Sequence, residues 1–127
     1  MSLTATRASG PMSDIFVKAD PDNAEPVANG IKRQLLGYGE TLMGARVWFD
    51  EGAVGEVHSH FHAQMAYVVA GRFLVEVGGV KQELSAGDCF YVPPHTPHGA
   101  VCLEEGQLLD VFSPAREDFL PHQDAGS

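Results

Sequence analysis

Short apolar segments separated by turn residues run along most of the chain from Gly30 onward. Glycine, proline, serine or aspartate stands between the segments, and these turn signals recur about every 8–12 residues. Within the segments the residues are β-branched, aromatic or alternately apolar and polar, and the helical period of 3.6 is missing. The segments comprise residues 31–36, 41–49, 65–70, 72–77, 80–84, 89–92, 99–103 and 107–112. This pattern predicts eight or more short strands in an antiparallel sandwich or barrel.

Several turns can be assigned to particular residues. Gly78-Gly79 predicts a two-residue hairpin, because glycine takes positive φ readily at both positions. Gly37-Tyr38-Gly39 is predicted to join the first two strands, and Ala70-Gly71 to separate two others. Glu104-Glu105-Gly106 is predicted to close a last hairpin, and a short turn or helix is expected in 115–120.

The change of composition along the chain predicts one domain with an extension at each end. Residues 1–29 are rich in small and polar residues and are predicted to form an arm, flexible in part or laid over the domain. Residues 30–120 are predicted to form the barrel, and 121–127 a tail. A chain of 127 residues is of the size expected for a single domain.

Composition narrows the class of partner. The formal net charge of −9 argues against nucleic acid or an anionic membrane surface, but not against a small anionic substrate beside a local cation. No apolar run approaches the roughly 20 residues that span a bilayer. The first residues lack a basic stretch followed by an apolar one, so no secretory signal is predicted. The two cysteines, Cys89 and Cys102, lie in apolar runs and are predicted to be buried free thiols, which favours the cytoplasm.

The histidines are the first candidate chemistry. His58 and His60 are two residues apart, so on a strand they would point to the same face. Imidazole is a good ligand for several transition metals, and His98 lies at the end of another predicted loop. An isolated His-x-His is short and common, however, so the spacing alone leaves structural or surface histidines as an alternative.

The last predicted strand contains one carboxylate in an apolar run. Asp110 and Phe112 would share a face, which is either the barrel interior or the solvent side of an edge strand. In the interior, Asp110 would have a perturbed pKa and could move a proton, while Phe112 would be core or a platform for a ring. Arg116 would either clamp a substrate carboxylate or form a surface salt bridge with Glu117 or Asp118.

Two longer motifs resemble those of the cupin superfamily. The first runs from Gly52 through His58-x-His60 and Gln64 to Gly71, with glutamine where glutamate is usual. The second motif runs from Gly87 through Pro93 and His98 to Cys102, with His95 where glycine is usual and cysteine where asparagine is usual. The resemblance implies an all-β, single-domain double-stranded β-helix, or jelly-roll barrel. It also implies one divalent transition metal (Ni, Zn, Fe(II) or Mn) held by His58, His60, Gln64 and His98.

The ligand set implied by this resemblance carries no formal charge. A bound metal therefore keeps its positive charge, which favours Lewis-acid over redox chemistry. His62 is expected either to share the ligand face or to lie at the mouth, holding a ligand in place or touching substrate, and His95 is expected to be exposed.

A closer resemblance concerns the carboxy-terminal stretch 109–120, which contains Asp110-Val111-Phe112 and Arg116. It is similar to the signature of KdgF-type cupins, the pectin degradation proteins, and the segment 58–64 resembles their metal segment, glutamine included. The resemblance implies conversion of cyclic 4,5-unsaturated uronates to the linear keto form, with Asp110, Phe112 and Arg116 as functional residues. We therefore expect a metal-dependent ring opening of a small anionic, sugar-derived substrate. A homodimer is expected for a separate reason, because the long arm and the amino-terminal hairpin could exchange or dock strands across a two-fold axis.

Two other functions remain open on the sequence. One is a metal-dependent dioxygenase or lyase acting on another small organic acid, which oxygen uptake under Fe(II) would distinguish. The other is a non-catalytic cupin that binds a sugar acid, for which ligand affinity without turnover would be the observation.

Overall fold

The computed structural model describes residues 11–120, and within them the chain forms eight strands and two short 3-10 turns. All strand pairs are antiparallel, and none of the described residues forms an α-helix, so the all-β prediction is confirmed. The strands are β1 (Glu25–Ala28), β2 (Ile31–Tyr38), β3 (Met43–Phe49), β4 (Val54–His58), β5 (Ala63–Val77), β6 (Val80–Ser85), β7 (Cys89–Val92) and β8 (His98–Ser113); the 3-10 turns are Pro21–Asn23 and Glu117–Phe119.

The two long strands, β5 and β8, hold the sheet together. They pair with each other along almost their whole length, from Ala63 opposite Ser113 to Val77 opposite His98. The second half of β8 also pairs with β3, and its first half with β4. In the same way β5 pairs with β7 in its first half and with β6 in its second. Each long strand therefore belongs to both layers of a jelly roll.

The predicted hairpin at Glu104-Glu105-Gly106 and the predicted turn at Ala70-Gly71 are both wrong. The chain continues as one strand through each of them, and the register between β5 and β8 shifts there. A Cβ on Gly71 would lie 2.5 Å from the carbonyl oxygen of Glu105, and one on Gly106 would overlap that of Ala70. These glycines thus let two bending strands approach closely, and they do not reverse the chain.

The other predicted turns are confirmed with small changes of position. Gly78 and Gly79 have φ of 57° and 84°, and Val77 pairs with Val80 across this two-residue hairpin. The first hairpin turn begins later than predicted, because β2 continues to Tyr38; the Gly39 amide then donates to the Leu42 carbonyl at 2.9 Å.

The core lies between the two layers. On β3 every second residue is buried, and the buried set from both layers forms one main cluster that includes Ile31, Val47, Phe49, Phe73, Val75 and Ala100. Cys102 belongs to this cluster, and burial raises the pKa of its thiol, as expected of an inert core cysteine. Cys89 is exposed, so the prediction for it is wrong: β7 pairs only with β5, and the outer face of this edge strand meets solvent.

The described part of the predicted arm lies along β2. Gln34 accepts a hydrogen bond from the Asp20 amide at 2.9 Å and donates one to the Lys18 carbonyl at 2.8 Å. Glu25–Ala28 then forms β1 at the edge of the sheet. Residues 1–10 and the predicted tail 121–127 lie outside the described residues. Within 11–120, no helix has the length and apolar character needed to cross a membrane.

Candidate metal centre

Three histidines converge where β4 meets β8. His58 is the last residue of β4, and the register places it directly opposite His98, the first residue of β8. The spacing predicted that His58 and His60 share one face of a strand, and this is wrong. β4 ends at His58, so His60 reaches the cluster from the following loop. Ligand nitrogens of the three side chains lie within 4.8 Å of one another. The strand pairing and the loop therefore produce the convergence together.

Each of these imidazoles is oriented by a backbone carbonyl. Nδ1 lies 2.9 Å from the Glu56 oxygen in His58, 3.0 Å from the His62 oxygen in His60, and 2.9 Å from the Thr96 oxygen in His98. A carbonyl oxygen only accepts, so Nδ1 is the protonated nitrogen and Nε2 has the lone pair. Metal-binding histidines are typically held this way, with the ring nitrogen that does not bind the metal donating to a carbonyl or carboxylate.

Gln64, on β5, completes the set. Its amide nitrogen donates to Asp110 Oδ1 at 3.2 Å, which directs its Oε1 toward the histidines, 3.2 Å from His60 Nε2. Two acceptors that face each other at this distance repel unless a cation lies between them. The buried His98 Nε2, in addition, has no hydrogen-bond partner. The four predicted ligands therefore fit a divalent metal.

Two of the imidazoles, those of His60 and His98, are neutral, as metal binding requires. Burial, together with a smaller effect of the charge of Arg116, lowers the pKa of His60 to about 4. Burial also lowers the pKa of His98. At neutral pH these two rings are unprotonated, so no proton has to be displaced from them before a metal binds.

Asp110 lies inside the barrel, beside the proposed metal ligands. β8 is flanked by β3 and β5 at this point, so the alternative of a solvent-facing edge strand is excluded. The side chain is partly buried and touches Gln64. Desolvation raises the pKa of Asp110 to about 7, against the opposing effects of the Gln64 hydrogen bond and the charges of Arg116 and Arg33. Near neutral pH this carboxyl is available in both protonation states.

Arg116 is buried, with 8% of its surface exposed. Its Nε and Nη2 donate to the two carboxylate oxygens of Asp118 at 3.0 and 2.7 Å. The predicted alternative of an ion pair with Asp118 is therefore present, but only its carboxylate is largely exposed, while the guanidinium is buried at the cavity wall. The guanidinium carbon is 4.1 Å from the centre of the Phe119 ring and 5.1 Å from that of Phe112.

Phe112 belongs both to the core and to the wall of the site. Only 2% of it is exposed, and its ring makes edge contacts with the rings of His60 and Phe119 at 5.9 and 5.5 Å between centres. It lines a cavity of about 390 Å³, which is large enough for a small molecule. The same cavity is lined by His58, Gln64, His98, Asp110 and Arg116.

The other two histidines of the described residues, His62 and His95, differ from each other. His62 is buried outside the ligand cluster and packs on Phe61, with 4.0 Å between ring centres; its backbone carbonyl orients His60. His95 is exposed, as predicted, and has φ of 63°. That left-handed conformation explains why glycine is the usual residue at this place in the motif.

Sequence reasoning missed one cavity residue, Arg33. It lies on β2 between Ile31 and Leu35, opposite Val47 of β3, and lines the cavity. The available signal was a charged residue between Ile31 and Leu35, two apolar residues that share its face of the strand.

Comparisons with known proteins agree with this geometry. The family model of the cupin domain matches residues 45–112. The curated pectin degradation protein KdgF of Dickeya dadantii (strain 3937) is 45% identical over 98 residues, which is 76% of this chain and 89% of the relative.

Two solved structures are similar over most of the chain. KdgF from Halomonas sp. has a TM-score of 0.80 and 44% identity, covering 85% of this chain and 100% of that one. An RmlC-like cupin from Shewanella frigidimarina NCIMB 400 has a TM-score of 0.79 and 50% identity, covering 86% and 98%. The fold, the site and these similarities together show that the chain belongs to the cupin superfamily and, within it, to the KdgF-type pectin degradation proteins.

Proposed function

We propose that this protein converts cyclic 4,5-unsaturated uronates to their linear keto form. The observation that carries the proposal is the hydrogen bond between Gln64 and Asp110, which places a proton-transfer group beside the metal ligands. The kinship with KdgF, a pectin degradation protein, supports a uronate as the substrate class. The reaction is an isomerisation, so it needs no oxidant and no second substrate.

The proposed cofactor is one divalent transition metal, Ni, Zn, Fe(II) or Mn. His58, His60, Gln64 and His98 would hold it through three Nε2 atoms and one amide oxygen. When bound there, such an ion acts as a Lewis acid toward substrate oxygens. The chain's own residues supply the remaining steps.

Asp110 is the proposed proton-transfer group. Its carboxylate takes the proton of the anomeric hydroxyl, the bond between the anomeric carbon and the ring oxygen breaks, and the aldehyde forms. The electron pair passes to the ring oxygen, which becomes the enolate of the former enol ether. Asp110 then returns its proton to the alkene carbon remote from the carboxylate, and the linear keto form results. Protons and electrons balance without water.

Arg116 and Phe112 are proposed to position the substrate. Arg116 lies at the wall of the cavity with its charge close to Asp110, where it favours a bound uronate carboxylate. The Phe112 ring offers an apolar surface beside His60, on which a sugar ring can rest. Both residues would act by holding the reacting atoms in place.

A cytoplasmic homodimer is the remaining part of the proposal. The two cysteines are free in the structure, which is typical of reducing compartments. The edge strand β1 has all four residues exposed and so offers unpaired backbone groups to a second copy.

The test follows the absorbance of the unsaturated uronate double bond. Metal-loaded protein is expected to speed its loss well above the spontaneous rate. Asp110→Asn should lower kcat roughly 100- to 10,000-fold, the usual contribution of a positioned acid–base group. Asp22→Asn, which changes an exposed aspartate outside the cavity, is the matched control and should leave kcat unchanged. If the metal-loaded native protein does not exceed the spontaneous rate, the proposed function is wrong.

A further inference from the structure

The cavity contains a second guanidinium that the predicted site residues do not include. On β2, Ile31 is buried and Leu35 packs against a core cluster, so Arg33 between them points into the barrel. The register agrees, because Arg33 lies opposite the buried Val47. About 17% of the Arg33 side chain is exposed, and it lines the same cavity as Asp110 and Arg116.

The two arginines differ in how well their charge is compensated. Arg116 has a bidentate partner in Asp118. Among residues 11–120, the one ion-pair partner of Arg33 is Glu25, whose side chain is 68% exposed and whose nearest oxygen is 3.5 Å from Arg33 Nη2. Within the same part of the chain, the buried Nε of Arg33 has no hydrogen-bond partner. A buried donor without a partner lowers the stability of the fold, and a ligand that accepts from it removes this cost. Arg33 can therefore donate to a bound anion, and its charge is only partly compensated.

Phe119 brings the two charges to one wall of the cavity. The guanidinium carbon of Arg33 lies 3.6 Å from the centre of its ring, and that of Arg116 lies 4.1 Å from it. Burial lowers the pKa of Arg33. The charge of Arg116 lowers it as well, whereas the charges of Glu25 and Asp118 raise it. Two like charges in a partly buried site repel each other, and an anion beside both of them relieves that repulsion.

Asp118 occupies one edge of the Arg116 guanidinium and compensates its charge. Nε and Nη2 each donate one N–H to that carboxylate, so the edge formed by Nη1 and the second N–H of Nη2 is left to donate. A carboxylate at this wall can therefore accept from Arg116, and the guanidinium of Arg33 supplies further donors and the less compensated charge.

We propose that Arg33 binds the carboxylate of the substrate together with Arg116 and so makes the cavity selective for sugar acids over uncharged sugars. The identity of the carboxylate as that of a uronate rests on the proposed function. Arg33 is thus a binding and specificity residue that the KdgF-type signature at the carboxy terminus does not contain.

The experiment measures binding and requires no turnover. Galacturonate and its uncharged methyl ester are titrated calorimetrically into metal-loaded native protein, Arg33→Gln, Arg33→Lys and Arg46→Gln. Arg46 is the matched control, because it lies on the adjacent strand β3, donates to Gln107 and does not line the cavity. Native protein and the Arg46 variant should prefer galacturonate, and Arg33→Gln should lose roughly 10- to 100-fold of that preference, the value of a charge-assisted hydrogen bond. Arg33→Lys keeps the charge without the fork and should lie between them.

Two results would overturn the inference: native protein that shows no preference for galacturonate, or an Arg33→Gln variant that keeps the full preference. Equal loss of affinity for acid and ester would also contradict it, since that reports general damage to the cavity. A thermal melt establishes whether each variant is folded. If Arg33→Gln does not fold, the preference of Arg33→Lys for galacturonate over its ester decides whether Arg33 binds the carboxylate. If native protein binds galacturonate selectively through Arg33 but does not turn over an unsaturated uronate, the role of Arg33 stands and the proposed function is wrong. If native protein turns over the uronate but Arg33→Gln keeps the full preference for galacturonate, the proposed function stands and the role of Arg33 is wrong.

Discussion

A single hydrogen bond decides the orientation of a central residue. The Gln64 amide nitrogen donates to Asp110, and this turns the amide oxygen toward the lone pair of His60 Nε2. A glutamate at this position would have no amide N–H to offer Asp110, so a second ionised carboxylate beside it would be repelled. Gln64 therefore has two effects. It adds no charge to the ligand set, and its amide nitrogen holds the carboxyl group of Asp110 at 3.2 Å.

The ion pair of Arg116 with Asp118 leads to a pH-dependent prediction. Hydrogen bonds from Arg116 hold the pKa of Asp118 below its ordinary value. A lowered pKa in the folded state contributes stability above the unfolded value of about 3.9, and that contribution is lost as the pH falls through the lowered value. Asp118→Asn should therefore lower the free energy of unfolding by about 1 kcal/mol at pH 7, a modest effect because Asp118 is largely exposed.

Urea unfolding at pH 7, 5 and 3 measures this difference for native protein and Asp118→Asn. The difference should persist at pH 5 and shrink at pH 3. Asp22→Asn serves as the control, since no arginine within residues 11–120 forms an ion pair with Asp22. A difference that stays constant over the whole range would contradict the ion-pair explanation.

At the scale of the elements, the long strands β5 and β8 control the geometry of the site. β5 carries Gln64, and β8 carries His98 at its start and Asp110 and Phe112 near its end. Both strands bend where Gly71 and Gly106 approach each other, and the bend lets one continuous strand contribute residues to both layers. Two of the four proposed metal ligands, Gln64 and His98, therefore share one pair of strands with the proton-transfer group Asp110.

Gly106→Ala tests this bend. The added methyl group would overlap the Ala70 carbonyl oxygen, which is backbone and cannot turn aside. We expect a loss of about 1–3 kcal/mol in the free energy of unfolding, the usual cost of overpacking. Gly37→Ala is the matched control, because nothing lies within 4 Å of a Cβ built on Gly37, and it should change stability by less than about 0.5 kcal/mol. Urea unfolding gives both values, and equal stability of the two variants would refute the close approach.

At the scale of the whole molecule, the candidate metal centre joins separate parts of the barrel. Its ligands come from β4, the loop after β4, β5 and β8. His58, His60 and Gln64 are close in sequence, but His98 is distant from them, so the full set of four forms only in the folded chain. A metal bound there should therefore favour the folded state by mass action.

Metal binding should accordingly raise the melting temperature. Ni²⁺ or Zn²⁺ at one hundred times its Kd should stabilise the chelator-treated protein by about 2.7 kcal/mol. His98→Ala should lose most of that gain at the same metal concentration, because it removes the buried ligand. His95→Gly removes an exposed imidazole outside the cluster and should keep the gain. Differential scanning calorimetry measures the shifts, and an equal shift in His98→Ala would place the metal elsewhere.

Much of the local chemistry could be predicted from the sequence, because it depends on residue type and short-range pattern. The alternation of apolar residues predicts strands, since side chains alternate across a pleated sheet. A carboxylate within an apolar run marks Asp110, since a buried charge needs a compensating partner. The motif spacing identifies the four candidate ligands.

The tertiary structure decided what depends on pairing between distant strands. A glycine between apolar runs permits either a turn or a bend, and only the pairing of β5 with β8 makes Gly71 and Gly106 bends. Cys89 is exposed because it shares the outer face of β7 with the exposed Tyr91. Arg33 reaches the cavity of Asp110 and Arg116 because closure of the barrel brings β2 and the segment after β8 to one wall. Residue type and alternation determined which groups the chain can offer, and long-range strand pairing determined which of them meet.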